Sequence, residues 1–250
     1  MNKKTSTRQT ENRSNPMLSP MGYQAFKRTF LDPENKECLA NLLHAIIDIP
    51  QEDFDGFEII NSLPVNDVPT QIDIDRSNLN EQNDGFTCAI KLKNNTRIVV
   101  VVHVGDTPYL TNMITVRFCE LLADRLYTDA SPACFAENHV LLISDRDIVA
   151  IEDILPKFYA RFTFSSTATN EPLDDRNLIH VLSILDTPDK NDGTLKWQWG
   201  KFFQGQETEE FKMIIEENPA IKKAYDTIRE MSQNEQEQLY NDAILALMQK

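Results

Sequence analysis

The side chains best suited to nucleophilic, general-base or transition-metal chemistry are four cysteines and four histidines, and their spacing points away from all three. Cys38, Cys88, Cys119 and Cys134 are far apart, and none forms a CxxC pair or sits beside a histidine at metal-ligand spacing. They read as reduced core thiols. His44, His103, His139 and His180 each lie within or beside an apolar stretch, which predicts buried, hydrogen-bonded imidazoles rather than a zinc set.

The remaining chemistry is electrostatic. The net charge is −14, so a phosphate-binding role needs a local basic patch, because Lys and Arg that displace counterions supply the sequence-independent part of affinity for DNA. The one basic-biased stretch is the N-terminal segment, where Lys3, Lys4, Arg8 and Arg13 outweigh Glu11. It carries +3 over residues 1–22, which leaves −17 for residues 23–250, the difference between −14 and +3. DNA association is therefore expected to be weak, non-cleaving and dependent on the first 22 residues. A membrane role is not expected: the longest apolar run, Ile98 to Val102, is far short of the roughly 20 residues of a spanning helix, and the polar N-terminus has no apolar signal core. A cytoplasmic location follows.

The elements that must position any site can be read from spacing. Residues 1–22 are polar, aperiodic and Ser/Thr/Asn-rich, and predict a disordered tail. Asp32-Pro33-Glu34 is a helix-start signal, and Leu39, Leu42, Leu43, Ile46 and Ile47 follow at helical spacing, giving a helix over 33–48. Residues 51–84 are Asp-, Asn- and Pro-rich and read as a connecting region, with only "FEIINSL" and "TQIDID" resembling short extended pieces. "GFTCAIKL" and "RIVVVVHV", separated by Asn94-Asn95, predict a hairpin over 85–104 whose second strand is apolar on both faces and hence central. A helix over 108–127 and strands over 138–144, 160–166 and 178–185 follow, with amphipathic helical segments over the last 45 residues, either folded on the core or forming an arm. The order favours an α/β sandwich around a mixed sheet.

Several segments, in order, resemble the PD-(D/E)XK nuclease family transposases, relatives of the bacterial recombination-promoting nucleases associated with mobile elements. "YQAFKRTF" resembles the family's opening "D-x-x-FK-x-xF", and "LANLLHAII" its "L-x-x-LLNAIL" helix. "IVVVVHVGDTPYLTNMITVRF" lies where the family has "INIEMQ" and then a helix containing an arginine, matched by Arg117. "LIHVLSILDTPDK" resembles the strand ending in "ELPK", "WQWGKFF" the "W-x-x-F" segment, and "NPAIKKAYDTIREMSQNEQEQLY" the C-terminal helices. The resemblance implies a restriction-endonuclease-like core, a mixed sheet flanked by helices, over 23–205, with a C-terminal helical extension over 206–250.

The departures fall where the family's chemistry sits. In active members a strand aspartate and a glutamate two residues before glutamine or lysine converge on a divalent metal that activates water against a phosphodiester. Aligning the strands puts Val101 at the glutamate, His103 at the glutamine and Ala89 at the aspartate, so no hard oxygen ligand stands at the family positions. Acids displaced from those positions are the alternative: Asp73, Asp75, Asp106 and Glu120, with Asp124 further along and Arg117 beside the cleft, would make a Mg²⁺-dependent DNA endonuclease. Solvated surface charge is the bland reading of the same acids. Arg117 would hold a phosphate, or a structural ion pair with Asp106 or Glu120. His44 stands at the asparagine of the family helix and reads as a packing residue.

Two functions remain. One is a catalytically inactive relative that keeps the fold as a binding or regulatory scaffold, without a cofactor, for a protein partner or an active paralogue, with self-association as a further option. The other is the endonuclease with displaced carboxylates, which would need Mg²⁺. The acidic body favours the first.

Overall fold

The computed structural model describes residues 18–64, 86–105, 114–119, 137–145, 158–172 and 175–248. The expected Asp32 signal starts a short 3₁₀ turn, Pro33–Asn35, in which Asp32 Oδ1 accepts from the Glu34 N–H at 3.0 Å. An α-helix, Lys36–Ile47, continues from it and buries Leu39, Leu42, Leu43, Ile46 and Ile47 on one face. Asp48 closes that helix in the left-handed region at φ 62°, which a short polar side chain tolerates. Before it, the "YQAFKRTF" segment is a helix Tyr23–Phe26 running into a π-turn Lys27–Leu31 that places Phe26 and Phe30 inward. Here these two elements are α1 (Tyr23–Phe26) and α2 (Lys36–Ile47).

Six strands form one sheet in the order β1-β2-β3-β4-β6-β5. They are β1 (Glu58–Pro64), β2 (Phe86–Lys91), β3 (Arg97–His103), β4 (Asn138–Ser144), β5 (Tyr159–Thr163) and β6 (Asn177–Ser183). The expected hairpin is present: β2 and β3 pair antiparallel, Asn95 takes φ 66° in the turn, and the Thr96 N–H donates to Asn94 Oδ1 at 2.9 Å. All seven β3 residues are buried, which is what an apolar run on both faces requires of a central strand. β3, β4 and β6 run parallel, and β1 and β5 are antiparallel edges. The architecture is thus α/β with a mixed sheet.

The connecting region read over 51–84 contains β1. That strand pairs with β2 through a register irregularity between Ile59 and Asn61. It is an edge, with Glu58 and Ile60 exposed on either side of a half-buried Ile59 that packs on the core. Of the helix expected over 108–127, residues 114–119 are described and helical; the rest of it, and the tail through residue 17, lie outside the described residues. Leu18 to Gly22, read with the tail, pack on the core: Met21 is buried, and the Leu18 N–H donates to Ser232 Oγ at 3.0 Å.

The two faces of the sheet build two apolar cores. Ile98, Val100, Val102, Leu141, Ile143 and Leu182 face α1, α2 and the C-terminal helices α3 (Leu195–Gln204), α4 (Glu209–Glu217) and α5 (Pro219–Met248). Ile221, Ala224 and Ile228 of α5 belong to this same core. On the other face Val99, Val101, Val140, Leu142 and Val181 form a smaller core with Ile114 and Phe118. Among the described residues no helix is long and apolar enough to cross a membrane.

Gly200 lets α3 lie against β5 and the segment after β6. A Cβ there would stand 2.8 Å from the Phe158 ring and from Thr187 Cγ2, and Thr187 cannot swing away because its hydroxyl donates to the Ile184 carbonyl at 2.8 Å. Gly200→Ala is predicted to destabilise the fold by about 1–3 kcal/mol despite the better helix propensity of alanine, measured as a lowered urea midpoint with unchanged slope.

Candidate functional site

The register of the hairpin fixes what converges on Val101. Thr87 pairs with Val101 and Ala89 with Val99, so a carboxylate pair reaching across these strands would stand at 87 and 101. Counting back along the sequence reaches Ala89, two residues further along the same face. The alignment by sequence names Ala89, and the pairing adds Thr87 as the residue that stands opposite Val101, a register set by the turn at Asn94 to Thr96.

Val101, 0% exposed, sits in the smaller core, roofed by Ile114 and Phe118 of the segment 114–119 and walled by Leu142 and Val181. Phe118 is itself covered by Phe164, with ring centroids 5.2 Å apart. Ala89 packs against the same cluster. His103 ends β3 on this face and is buried. Its Nε2–H donates to the Gly105 carbonyl at 2.7 Å, which leaves Nδ1 as an acceptor with no hydrogen-bond partner. Thr87 Oγ1 is likewise buried without a partner. Arg117 is buried beside Phe118. Asp73, Asp75, Asp106, Glu120 and Asp124 lie outside the described residues.

These residues do not fit Mg²⁺. The ion takes several oxygen ligands, at least one a carboxylate; Val101 and Ala89 supply none, Thr87 a neutral hydroxyl and His103 a nitrogen. Among the described residues no group of three or more His, Cys, Asp or Glu side chains is placed to hold a metal. The chemistry the arrangement does support is apolar: burying the Val101 side chain contributes about 1.5–3 kcal/mol, where a lone carboxylate would be desolvated at a cost of several.

The opposite face carries a polar network. His139 on β4 and His180 on β6 are buried neighbours, with His139 Nδ1 3.1 Å from His180 Nε2. His139 Nε2 lies 3.1 Å from the Glu137 carboxylate, and His180 Nδ1 2.9 Å from the Tyr159 hydroxyl. The carboxylate at one end sets every proton in the chain. It requires the hydrogen on His139 Nε2, so His139 Nδ1 accepts from His180 Nε2–H, and His180 Nδ1 accepts from the Tyr159 hydroxyl, which also faces the Ile46 carbonyl at 3.2 Å. Burial, with the His139 charge second, lowers the His180 pKa to about 3; burial also lowers that of His139, against the pull of Glu137. Burial raises the Tyr159 phenol to about 12. The two histidines are satisfied buried imidazoles, as their apolar surroundings predict. His44 packs at the end of α2, its Nδ1–H donating to the Ile49 carbonyl at 2.8 Å. Cys38 and Cys88 are buried free thiols, both pushed up to about 12 by burial; Cys119 is free and exposed.

The match with known proteins agrees with this fold. Residues 22–245 match the model of the PD-(D/E)XK nuclease family transposases, and the chain belongs to that family. Neither the curated proteins nor the solved structures contain a match to it.

Because the folded pKa of both histidines lies below the unfolded value near 6.5, the unfolded chain binds more protons between about pH 6.5 and 3. The stability that neutral burial contributes is complete above pH 6.5 and is lost as the pH falls through that window. Urea midpoints should drop from pH 7 to pH 4. His180→Gln, which removes one titrating group, should flatten that drop; an equally steep fall in the variant would contradict the assignment.

Proposed function

We propose that this member of the PD-(D/E)XK family is a non-catalytic scaffold that retains the nuclease-like fold to bind a protein partner, such as an active paralogue. The observation that carries the reading is the filling of the family's metal position: Val101 is wholly buried under Ile114 and Phe118, beside Ala89 and opposite Thr87. Replacing mutually repelling carboxylates by apolar side chains extends a core, so the fold gains from losing the site. The net charge of −14 favours a protein over DNA as the partner; any hold on DNA falls to the basic first 22 residues. A cytoplasmic setting suits the role.

The test is plasmid cleavage by the full chain with Mg²⁺ or Mn²⁺, beside calorimetric titration of each metal. The expected result is no nicking above buffer and no stoichiometric binding. Metal-dependent cleavage that is lost in Asp73→Asn or Asp106→Asn would overturn the proposal and establish an endonuclease with displaced carboxylates.

A further inference from the structure

A second concavity lies on the face away from Val101. It is a cleft of about 670 Å³ where the end of α2, the start of β5 and the N-terminus of α3 meet. Three carboxylates, Asp48, Asp186 and Asp192, line it against one ammonium, Lys196. Its hydrogen-bonding character is one-sided. The Tyr159 hydroxyl proton is directed inward to His180 and the Ile46 carbonyl, so its oxygen is left as an acceptor. His44 donates its Nδ1–H to Ile49, so in the neutral ring Nε2 is an acceptor too. Asp186 accepts from the Ser183 hydroxyl at 2.9 Å and Asp192 from the Thr194 N–H at 2.9 Å, which fixes both carboxylates in place.

The chain's own cation marks what this lining recognises. Lys196 Nζ lies 3.4 Å from the centroid of the Tyr159 ring, and the charges of Asp48 and Asp192 act on it, yet among the described residues no carboxylate comes within ion-pairing distance of it. The ammonium is half-buried, and that burial lowers its pKa, against Asp48, so holding it there is costly. The ring that receives it is rigid, being tied through its hydroxyl to α2 and to the histidine chain. A preorganised aromatic face with carboxylates around it is a cation-binding arrangement.

We infer that this cleft docks a lysine- or arginine-bearing segment of a partner protein, whose cationic head group displaces the Lys196 ammonium from the Tyr159 ring and lies among Asp48, Asp186 and Asp192. The occupant is a protein segment because the cleft is open along one side and also lined by Phe158, Pro188 and Leu195, which take the aliphatic stem of a long side chain and its backbone. The three acids outnumber the two cations at the cleft, Lys196 and the nearby Arg161 whose charge acts on Lys196 and Tyr159, and this excess selects positive charge. The inference rests on the scaffold reading for the nature of the partner, and its test is separate from cleavage: nicking of plasmid would defeat that reading without touching this cleft.

The experiment titrates the full chain with a capped Lys-Gly-Lys-Gly-Lys peptide, its glutamate counterpart, and spermidine, following the ring resonances of Tyr159. The lysine peptide is expected to saturate. Asp48→Asn, which the left-handed backbone accepts, should weaken it about fivefold, and Lys196→Met should tighten it by a similar factor. Glu216→Gln, an exposed acid elsewhere, should leave it unchanged and so separates site binding from bulk charge. The inference fails if the lysine peptide does not perturb Tyr159, if the glutamate peptide binds instead, if Lys196→Met weakens binding, or if Glu216→Gln weakens it as much as Asp48→Asn. Spermidine binding with the same dependence on Asp48 while the peptide fails would replace the protein segment by a small polyamine and equally overturn it.

Discussion

Everything else in this structure depends on the burial of β3 on both faces. A strand that is apolar at every position from Ile98 to Val102 must have a packed layer above and below it. One layer is the large helical core against Ile98, Val100 and Val102; the other is the smaller core against Val99 and Val101. By the alignment of the strands this second layer holds Val101, and at that position packing and chemistry compete for one surface: an aliphatic side chain avoids the desolvation cost of a carboxylate and adds buried apolar area. The orphaned Thr87 hydroxyl and His103 Nδ1 are the polar remainder at the edge of that core.

The rest of the family pattern is explained by the other layer. The segments "FKRTF" and "WQWGKFF", some 170 residues apart, meet in one aromatic cluster: Phe30 lies 5.6 Å from Trp199 and 6.1 Å from Phe202, and Phe26 6.5 Å from Phe203, between ring centroids. These two segments hold α1 and the turn after it to α3 within the larger core, on the opposite side of the sheet from Val101. A fold does not by itself imply a function, so this packing pattern speaks for the architecture and leaves the chemistry to the site.

How much of this was legible in the sequence follows from the range of the interactions involved. The hairpin and the centrality of β3 could be read because Asn94-Asn95 and an unbroken apolar run are local signals. The helix-start signal at Asp32-Pro33, which caps the 3₁₀ turn leading into α2, was legible for the same reason. β1 was legible only as the short extended piece "FEIINSL" inside a connecting region, because an edge strand with Glu58 and Ile60 exposed carries a weak apolar signal. Val101, His103 and Ala89 were placed by counting along the chain; which residue stands opposite Val101 depends on the turn, and that residue, Thr87, lies on the same face two residues from Ala89. The network of His139, His180 and Tyr159 and the cleft around Lys196 were beyond reading, since they join residues from α2, β4, β5, β6 and α3 that no local pattern connects.

The central claim is that the surface around Val101 is closed core and not a metal site, and paramagnetic relaxation by Mn²⁺ tests it at the atoms concerned. With methyl groups of Val, Leu and Ile isotope-labelled, substoichiometric Mn²⁺ should leave Val99, Val101 and Leu142 as sharp as the methyls of Val100 and Ile143 on the opposite face. Broadening that is steepest at Val101 and falls away with distance from it would contradict the account and put a metal at the family position.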